Sequence, residues 1–139
     1  MIKKCNECKE DKIIPAKENK REFIIKNNSK KNINKVKVDD CLIKSGQKCD
    51  YLFEIECESL KEIFYVELKG KDLNHALEQI LTTIKFCETN YSHHSYKRKA
   101  FVVLSRYPKE DSSIQKRKKE FKRQNITLKS ATNKHEEVI

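Results

Sequence analysis

At Gly70 the spacing of apolar residues switches from every second position to every third or fourth, and that switch fixes how the middle of this chain can fold. Residues 61–69, KEIFYVELK, crowd Ile, Phe, Tyr and Val into one short run that Gly70 ends, which predicts a strand. Alternation puts Phe64, Val66 and Leu68 on a face to be buried, and Glu67 and Lys69 on the other beside Ile63 and Tyr65. Beyond Gly70, Asp72 is a candidate N-cap. Leu73, Ala76, Leu77, Ile80, Leu81 and Ile84 then form the apolar stripe of a helix reaching about Cys87. His75 and Gln79, one helical turn apart, lie along its remaining face.

The run upstream, KCDYLFEIE, also alternates, with Cys49, Tyr51, Phe53 and Ile55 on one side and Asp50, Leu52 and Glu54 on the other. Ser45-Gly46 separates it from NKVKVDDCLIK and reads as a two-residue hairpin turn in which Lys44 faces Gln47. That register gathers Val36, Val38 and Leu42 with Cys49, Phe53 and Ile55, and sets Cys41 opposite Asp50 with Asp39 diagonal to it. Asp50, Glu67, Lys69 and Asp39 thereby converge on one sheet face. Two carboxylates on adjacent strands suit a hard cation such as Mg²⁺, which fills its other positions with water and substrate phosphate. Such an ion activates water and neutralises charge developing on a phosphate, and a lysine beside it positions the attacking water. The competing reading makes Glu67 and Lys69 an exposed surface pair and Asp50 a turn residue.

Cys49-Asp50-Tyr51, Val66-Glu67-Leu68-Lys69-Gly70 and His75-Ala76-Leu77-Glu78-Gln79 together resemble the PD-(D/E)XK nuclease superfamily over about half of the chain. The resemblance implies an α/β fold, a central mixed β-sheet flanked by helices in the restriction-endonuclease-like order αβββαβ. It implies that Asp50, Glu67 and the Leu68 backbone carbonyl bind Mg²⁺ or Mn²⁺, that Lys69 assists the hydrolytic water, and that Gln79 borders the active site. His75 is a further supporting candidate. Cys49 stands where the superfamily usually has proline, which lowers the specificity of the match. An additional acid from an upstream helix is not assigned; Asp39 is a candidate by position only.

The chain carries 31 Lys and Arg against 21 Asp and Glu, a net charge of +10, which suits a polyanionic partner: nucleic acid or an anionic membrane face. No run is apolar for long enough to span a bilayer, and MIKKCNECKE lacks the apolar segment of a signal peptide, so a cytoplasmic protein with mostly reduced cysteines is expected. Cys41, Cys49 and Cys57 then read as small core or edge residues. Cys5 and Cys8 form a CxxC, but no second CxxC or HxxxH follows, and Cys87 with His93 or His94 supplies no recurring spacing. Two thiols near a terminus are therefore preferred to a zinc site.

Residues 16–28 predict a short helix after Pro15 anchored by Phe23 and Ile24 or Ile25, although Ile24-Ile25 equally begins a strand. Residues 27–34 read as an exposed polar turn region. In 88–99, Tyr91 and Tyr96 interleave with His93, His94, Lys97, Arg98 and Lys99, a loop composition able to stack on bases and hold phosphates. AFVVLS, 100–105, reads as a buried strand beside the 61–69 strand, reached by the helix crossover. Tyr107-Pro108 is a turn, and Ser112 or Ser113 caps a last helix, IQKRKKEFKRQN. Its apolar seam is Ile114 and Phe121, and it spreads Lys116, Lys119, Lys122 and Arg123 as phosphate contacts. Ile126 to Leu128 adds an edge strand and the tail from Ser130 is loose.

One domain over 1–139 is expected, with 1–15 and 130–139 peripheral or flexible. The function expected is metal-dependent hydrolysis of DNA phosphodiesters, by a homodimer or with a partner subunit, since the chain has little room for a sequence-reading domain. A catalytically inactive nucleic-acid-binding or assembly module and a zinc-stabilised interaction protein are the alternatives.

Overall fold

The computed structural model describes residues 1–68, 72–106 and 112–139, apart from the side chains of 112 and 113. Its strands and helices are β1 (Asn6–Lys9), β2 (Ile13–Glu18), β3 (Arg21–Lys26), β4 (Ile33–Lys37), β5 (Tyr51–Ile55), β6 (Glu62–Glu67), α1 (Leu73–Tyr91), β7 (Lys97–Leu104), α2 (Ser112–Arg123), β8 (Ile126–Thr132) and β9 (Lys134–Val138). Among these residues β1-β4-β5-β6-β7-β8 form a six-stranded mixed sheet and β2-β3-β9 a second, three-stranded one. In the large sheet, β4, β5 and β6 run antiparallel in turn, and the α1 crossover then sets β7 parallel to β6. The fold is α/β. Lys69, Gly70, Tyr107-Pro108 and the Ser112 or Ser113 cap lie outside the described residues.

Both faces of the large sheet are buried, each by its own set of alternating residues. Ile63, Tyr65, Ala100 and Val102 meet Ala76, Leu77, Ile80 and Ile84 of α1 in one core. Phe64, Val66, Phe101 and Val103 meet Ile14, Ala16, Phe23 and Ile25 of the small sheet in the other. Phe23 is the hub of the second core, its ring centroid 4.7 Å from Phe101, 5.7 Å from Phe53 and 6.4 Å from Phe64. Truncating a buried phenylalanine costs about 3–5 kcal/mol. Asp72 caps α1 as expected, accepting from His75 N at 2.8 Å.

The helix expected over 16–28 is a β-hairpin instead. Asn19 and Lys20 both take positive φ, 53° and 64°, which gives the primed turn that a two-residue hairpin needs. Burial of Ile14, Ala16, Phe23 and Ile25 follows a period of two, so the small sheet takes what the large sheet's second face requires. Asn27, expected in an exposed linker, is buried: its amide donates to Asp11 O and Lys31 O, closing the turn into β4.

Ser45-Gly46 does not join the strands as a hairpin turn. Val36 faces Leu52 rather than Ile55, and residues 38–50 loop out between β4 and β5. The odd shift exchanges faces within the strand, so Leu52 joins Val36 and Val38 under α1, whereas Phe53 and Ile55 face the small sheet; Cys49, before the strand begins, also lies under α1. A disulfide from Cys5 to Cys41 fastens this loop to the start of β1. Cys41 and Cys5, expected as thiols, are thus paired, and Cys8 is left free and exposed, so the CxxC offers no two-thiolate half-site. The tail from Ser130 is ordered into β8 and β9. The chain reverses at Asn133, φ 64°, and adds β9 parallel to β3, with His135 stacked 5.9 Å from Phe23. Ile2, in the segment expected at the periphery, is fully buried.

A polar chain crosses the α1-facing core. The Tyr65 hydroxyl lies 2.7 Å from His93 Nδ1, His93 Nε2 lies 3.1 Å from Glu54 Oε2, and Glu54 Oε1 accepts from Asn34 Nδ2 and Ile2 N, both at 2.8 Å. Burial alone would raise the Glu54 carboxyl; the hydrogen bonds from His93, Asn34 and Ile2 bring it below the usual carboxylate range. His93, read as part of an exposed loop, is fully buried and structural.

Candidate active site

Asp50 and Glu67 lie at the same end of the large sheet. The β5–β6 ladder ends at the pair Tyr51↔Val66, and Asp50 N also donates to Val66 O at 3.1 Å, one residue out of that register, so Asp50 and Tyr51 both meet Val66 and Glu67 follows it in β6. Both acids are buried, at 2% and 1% exposure. One Asp50 oxygen, Oδ2, accepts from Leu68 N at 2.6 Å and fixes the carboxylate against the end of β6. Burial drives the Cys49 thiol well above its ordinary value, and the neighbouring Glu67 and Asp50 charges push it further.

Helix α1 is tied to the same point. Cys49 N donates to Thr83 Oγ1 at 2.8 Å, and that hydroxyl donates to Gln79 O at 2.9 Å, so the turn carrying Gln79 packs on the residue preceding Asp50. Gln79 Oε1 is enclosed and has no hydrogen-bond partner among the described residues. His75, a turn earlier, is exposed and contributes its backbone N–H to the Asp72 cap. Thr83 continues the spacing His75, Gln79 by a further four residues and was legible on that ground. Arg21 carried no such signal: from β3 of the small sheet it donates Nη1 to Leu68 O at 2.5 Å, so the carbonyl expected among the ion's ligands is already an acceptor.

Lys69 lies outside the described residues. Asp39 is beside Asp50 through its backbone, Asp39 N to Asp50 O at 3.4 Å, and its carboxylate has Lys48 Nζ 3.8 Å away. It sits in the 38–50 loop rather than diagonally across a strand pair, because the register differs from the hairpin expected.

The basic residues divide between the two ends of the sheet. Glu62 pairs with Lys97 and Glu67 with Val102, so Lys97 stands five residues, about 17 Å, from the acids' end. Arg98 is buried, 6% exposed, forms an ion pair with Glu88 and donates to Gln124 O at 2.8 Å; it joins α1 to the turn after α2 and is no surface contact. Lys122 and Arg123 are exposed but sit where α2 returns to Ile126, opposite Arg98, again at the far end. Lys116 and Lys119 are exposed further up α2. The described basic candidates therefore do not ring the acids.

Two carboxylates and a carbonyl are hard oxygen donors of the kind Mg²⁺ and Mn²⁺ accept with water completing the sphere. No set of three or more His, Cys, Asp and Glu converges among the described residues. The donor set therefore fits an ion that keeps several waters and not a closed, all-protein site.

Comparison with known proteins finds no matching family model, no matching curated protein and no matching solved structure. Among the described residues no helix is long and apolar enough to cross a membrane.

Proposed function

We propose that the protein is a metal-dependent nuclease with a restriction-endonuclease-like core, hydrolysing DNA phosphodiester bonds. The observation that carries this reading is the burial of both Asp50 and Glu67 at the same end of the central strands, with Leu68 N, one residue beyond Glu67, donating to the Asp50 carboxylate and α1 packed beside them. Asp50 and Glu67 would hold Mg²⁺ or Mn²⁺, with the Leu68 carbonyl as a further donor. When bound, the ion supplies Lewis-acid stabilisation of phosphate charge and lowers the pKa of a bound water. The chain's own part is orientation: Asp50 is held by Leu68 N, Gln79 turns an enclosed amide oxygen within the same packing, and Lys69 assists the attacking water. The protein would act as a homodimer or with a partner subunit.

A second reading, a catalytically inactive nucleic-acid-binding or assembly module with the same fold, is favoured by Arg21, whose guanidinium engages the Leu68 carbonyl and brings its own positive charge to that donor. Cleavage of plasmid and single-stranded DNA in EDTA, Mg²⁺ or Mn²⁺, by the native chain and by Glu67→Ala and Lys69→Ala, decides between them. Metal-dependent cleavage lost in both variants is expected. Binding without cleavage under every condition selects the inactive module.

A further inference from the structure

Beside the acids' end lies an open groove of about 500 Å³ between the start of β1, β4, β5 and the 38–50 loop. Its lining includes Lys35, Lys37, Tyr51, Glu7 and the Cys5–Cys41 disulfide, which forms one wall. Lys37 faces Tyr51 across β4 and β5, and Tyr51 is the residue that follows Asp50 in the chain, although neither acid lines the groove. Lys35 Nζ donates to Pro15 O at 2.6 Å and lies 5.1 Å from the Tyr51 ring centroid. An ammonium has three N–H donors, so Lys35 retains two beyond that bond. Lys35 and Lys37 make no ion pair with a described residue, and the Glu7 carboxylate, 68% exposed, has Lys9 3.8 Å away. Burial lowers the Lys35 pKa, Lys9 lowers it further and Glu7 offsets part of the shift.

A half-buried lysine in no ion pair, a second lysine along the same strand and an aromatic ring beside them are the parts of a site for a phosphate and an unpaired base. We propose that this groove binds single-stranded nucleic acid, with Lys35 and Lys37 on successive phosphates and a base stacked on Tyr51. A duplex keeps its base faces stacked inside, so the ring selects a single strand or a frayed end. The identity of the ligand rests on the phosphodiester reading above, and deepens it: the strand enters from the disulfide side, not across Lys97 and α2.

The test is fluorescence anisotropy of a labelled oligothymidylate, and of the same sequence as a duplex, in EDTA so that hydrolysis plays no part. Each phosphate contact on a single strand contributes about 0.7 to the salt slope, which is about fivefold in affinity at 0.1 M salt. Lys37→Ala and Lys35→Gln should each weaken binding about fivefold and flatten the slope by about 0.7. Tyr51→Leu should weaken it about tenfold and Tyr51→Phe hardly at all. Lys97→Ala and Lys122→Ala should leave the affinity unchanged. Loss through Lys97 or Lys122 equal to that through Lys37, preference for the duplex, or binding to phosphatidylserine vesicles through the same lysines with no oligonucleotide affinity would each overturn the proposal. Oligonucleotide binding with these dependences but no cleavage in Mn²⁺ sinks the nuclease reading and leaves the groove standing. Cleavage that needs Glu67 but ignores Lys35, Lys37 and Tyr51 does the reverse.

Discussion

Replacing Glu67 by glutamine removes one of two buried carboxylates at the same end of the sheet, and its effect on stability separates a built ion site from a structural pair. At a separation of roughly 5 Å and an effective dielectric of about 20, two unit charges repel by about 3 kcal/mol. Positive charge near the pair reduces this, so the expected gain without metal is about 1–3 kcal/mol. Unfolding entropy of about 2.1 cal/mol/K per residue over 139 residues makes 1 kcal/mol equal to about 3 °C. Glu67→Gln should therefore melt about 3–10 °C higher than the native chain in EDTA. In the native chain, Mn²⁺ at one hundred times its Kd should add about 2.7 kcal/mol, or about 9 °C, and the variant should gain none. Thermal unfolding followed by circular dichroism, with and without metal, reads both effects. A variant less stable than the native protein in EDTA, beside a native protein indifferent to Mn²⁺, would mean that the contacts Glu67 makes within the fold outweigh the repulsion and would refute the argument.

Three further expectations concern the frame around the site. Reducing the Cys5–Cys41 disulfide, which spans 36 residues, should cost about 4 kcal/mol by loop entropy, read as a drop in the urea midpoint; an unchanged midpoint would mean that the reduced chain keeps the loop closed by other contacts. Tyr65→Phe leaves His93 Nδ1 without its partner in a dry core and should cost about 1–3 kcal/mol, whereas a neutral result in the same titration would show the hydroxyl contributes nothing. Burial raises the Glu137 carboxyl, but hydrogen bonds from His135, Lys129 and Lys99 outweigh it, so its pKa in the fold lies below the unfolded value. Its stabilisation is present above the unfolded carboxylate pKa and is lost as pH falls through the folded one. Glu137→Gln should accordingly flatten the acid limb of a stability–pH curve, and identical limbs would rule out this source.

Legibility followed the range of the forces involved. The β6 run, the Asp72 cap and the α1 stripe were readable because each is fixed by neighbours within a few residues. The burial of Asp50 and Glu67 at the strand ends was not readable, since each acid was expected on a face whose cover only the fold supplies. The hairpin at Asn19-Lys20 was not, because its turn lacks the usual glycine and Phe23 with Ile24-Ile25 fits two periods over so short a run. Nor was the β4–β5 register: a plausible Ser45-Gly46 turn competes with a longer loop, and the choice is made by α1 and the small sheet, which bury different faces of β5.

The amino-acid order alone determined that a strand reaching Glu67 precedes an amphipathic helix, Leu73–Tyr91. Tertiary structure alone decided that Arg98 is a buried strut, that Lys97 and the end of α2 stand about 17 Å from the acids' end, and that Arg21, Lys35 and Lys37 are nearer neighbours of it. The reason is that charge along a chain is a list, whereas charge around a site depends on strand order and on which sheet covers which face. Those are set by burial of Phe23, Phe64 and Phe101 against one another, residues far apart in sequence and brought together only by the fold.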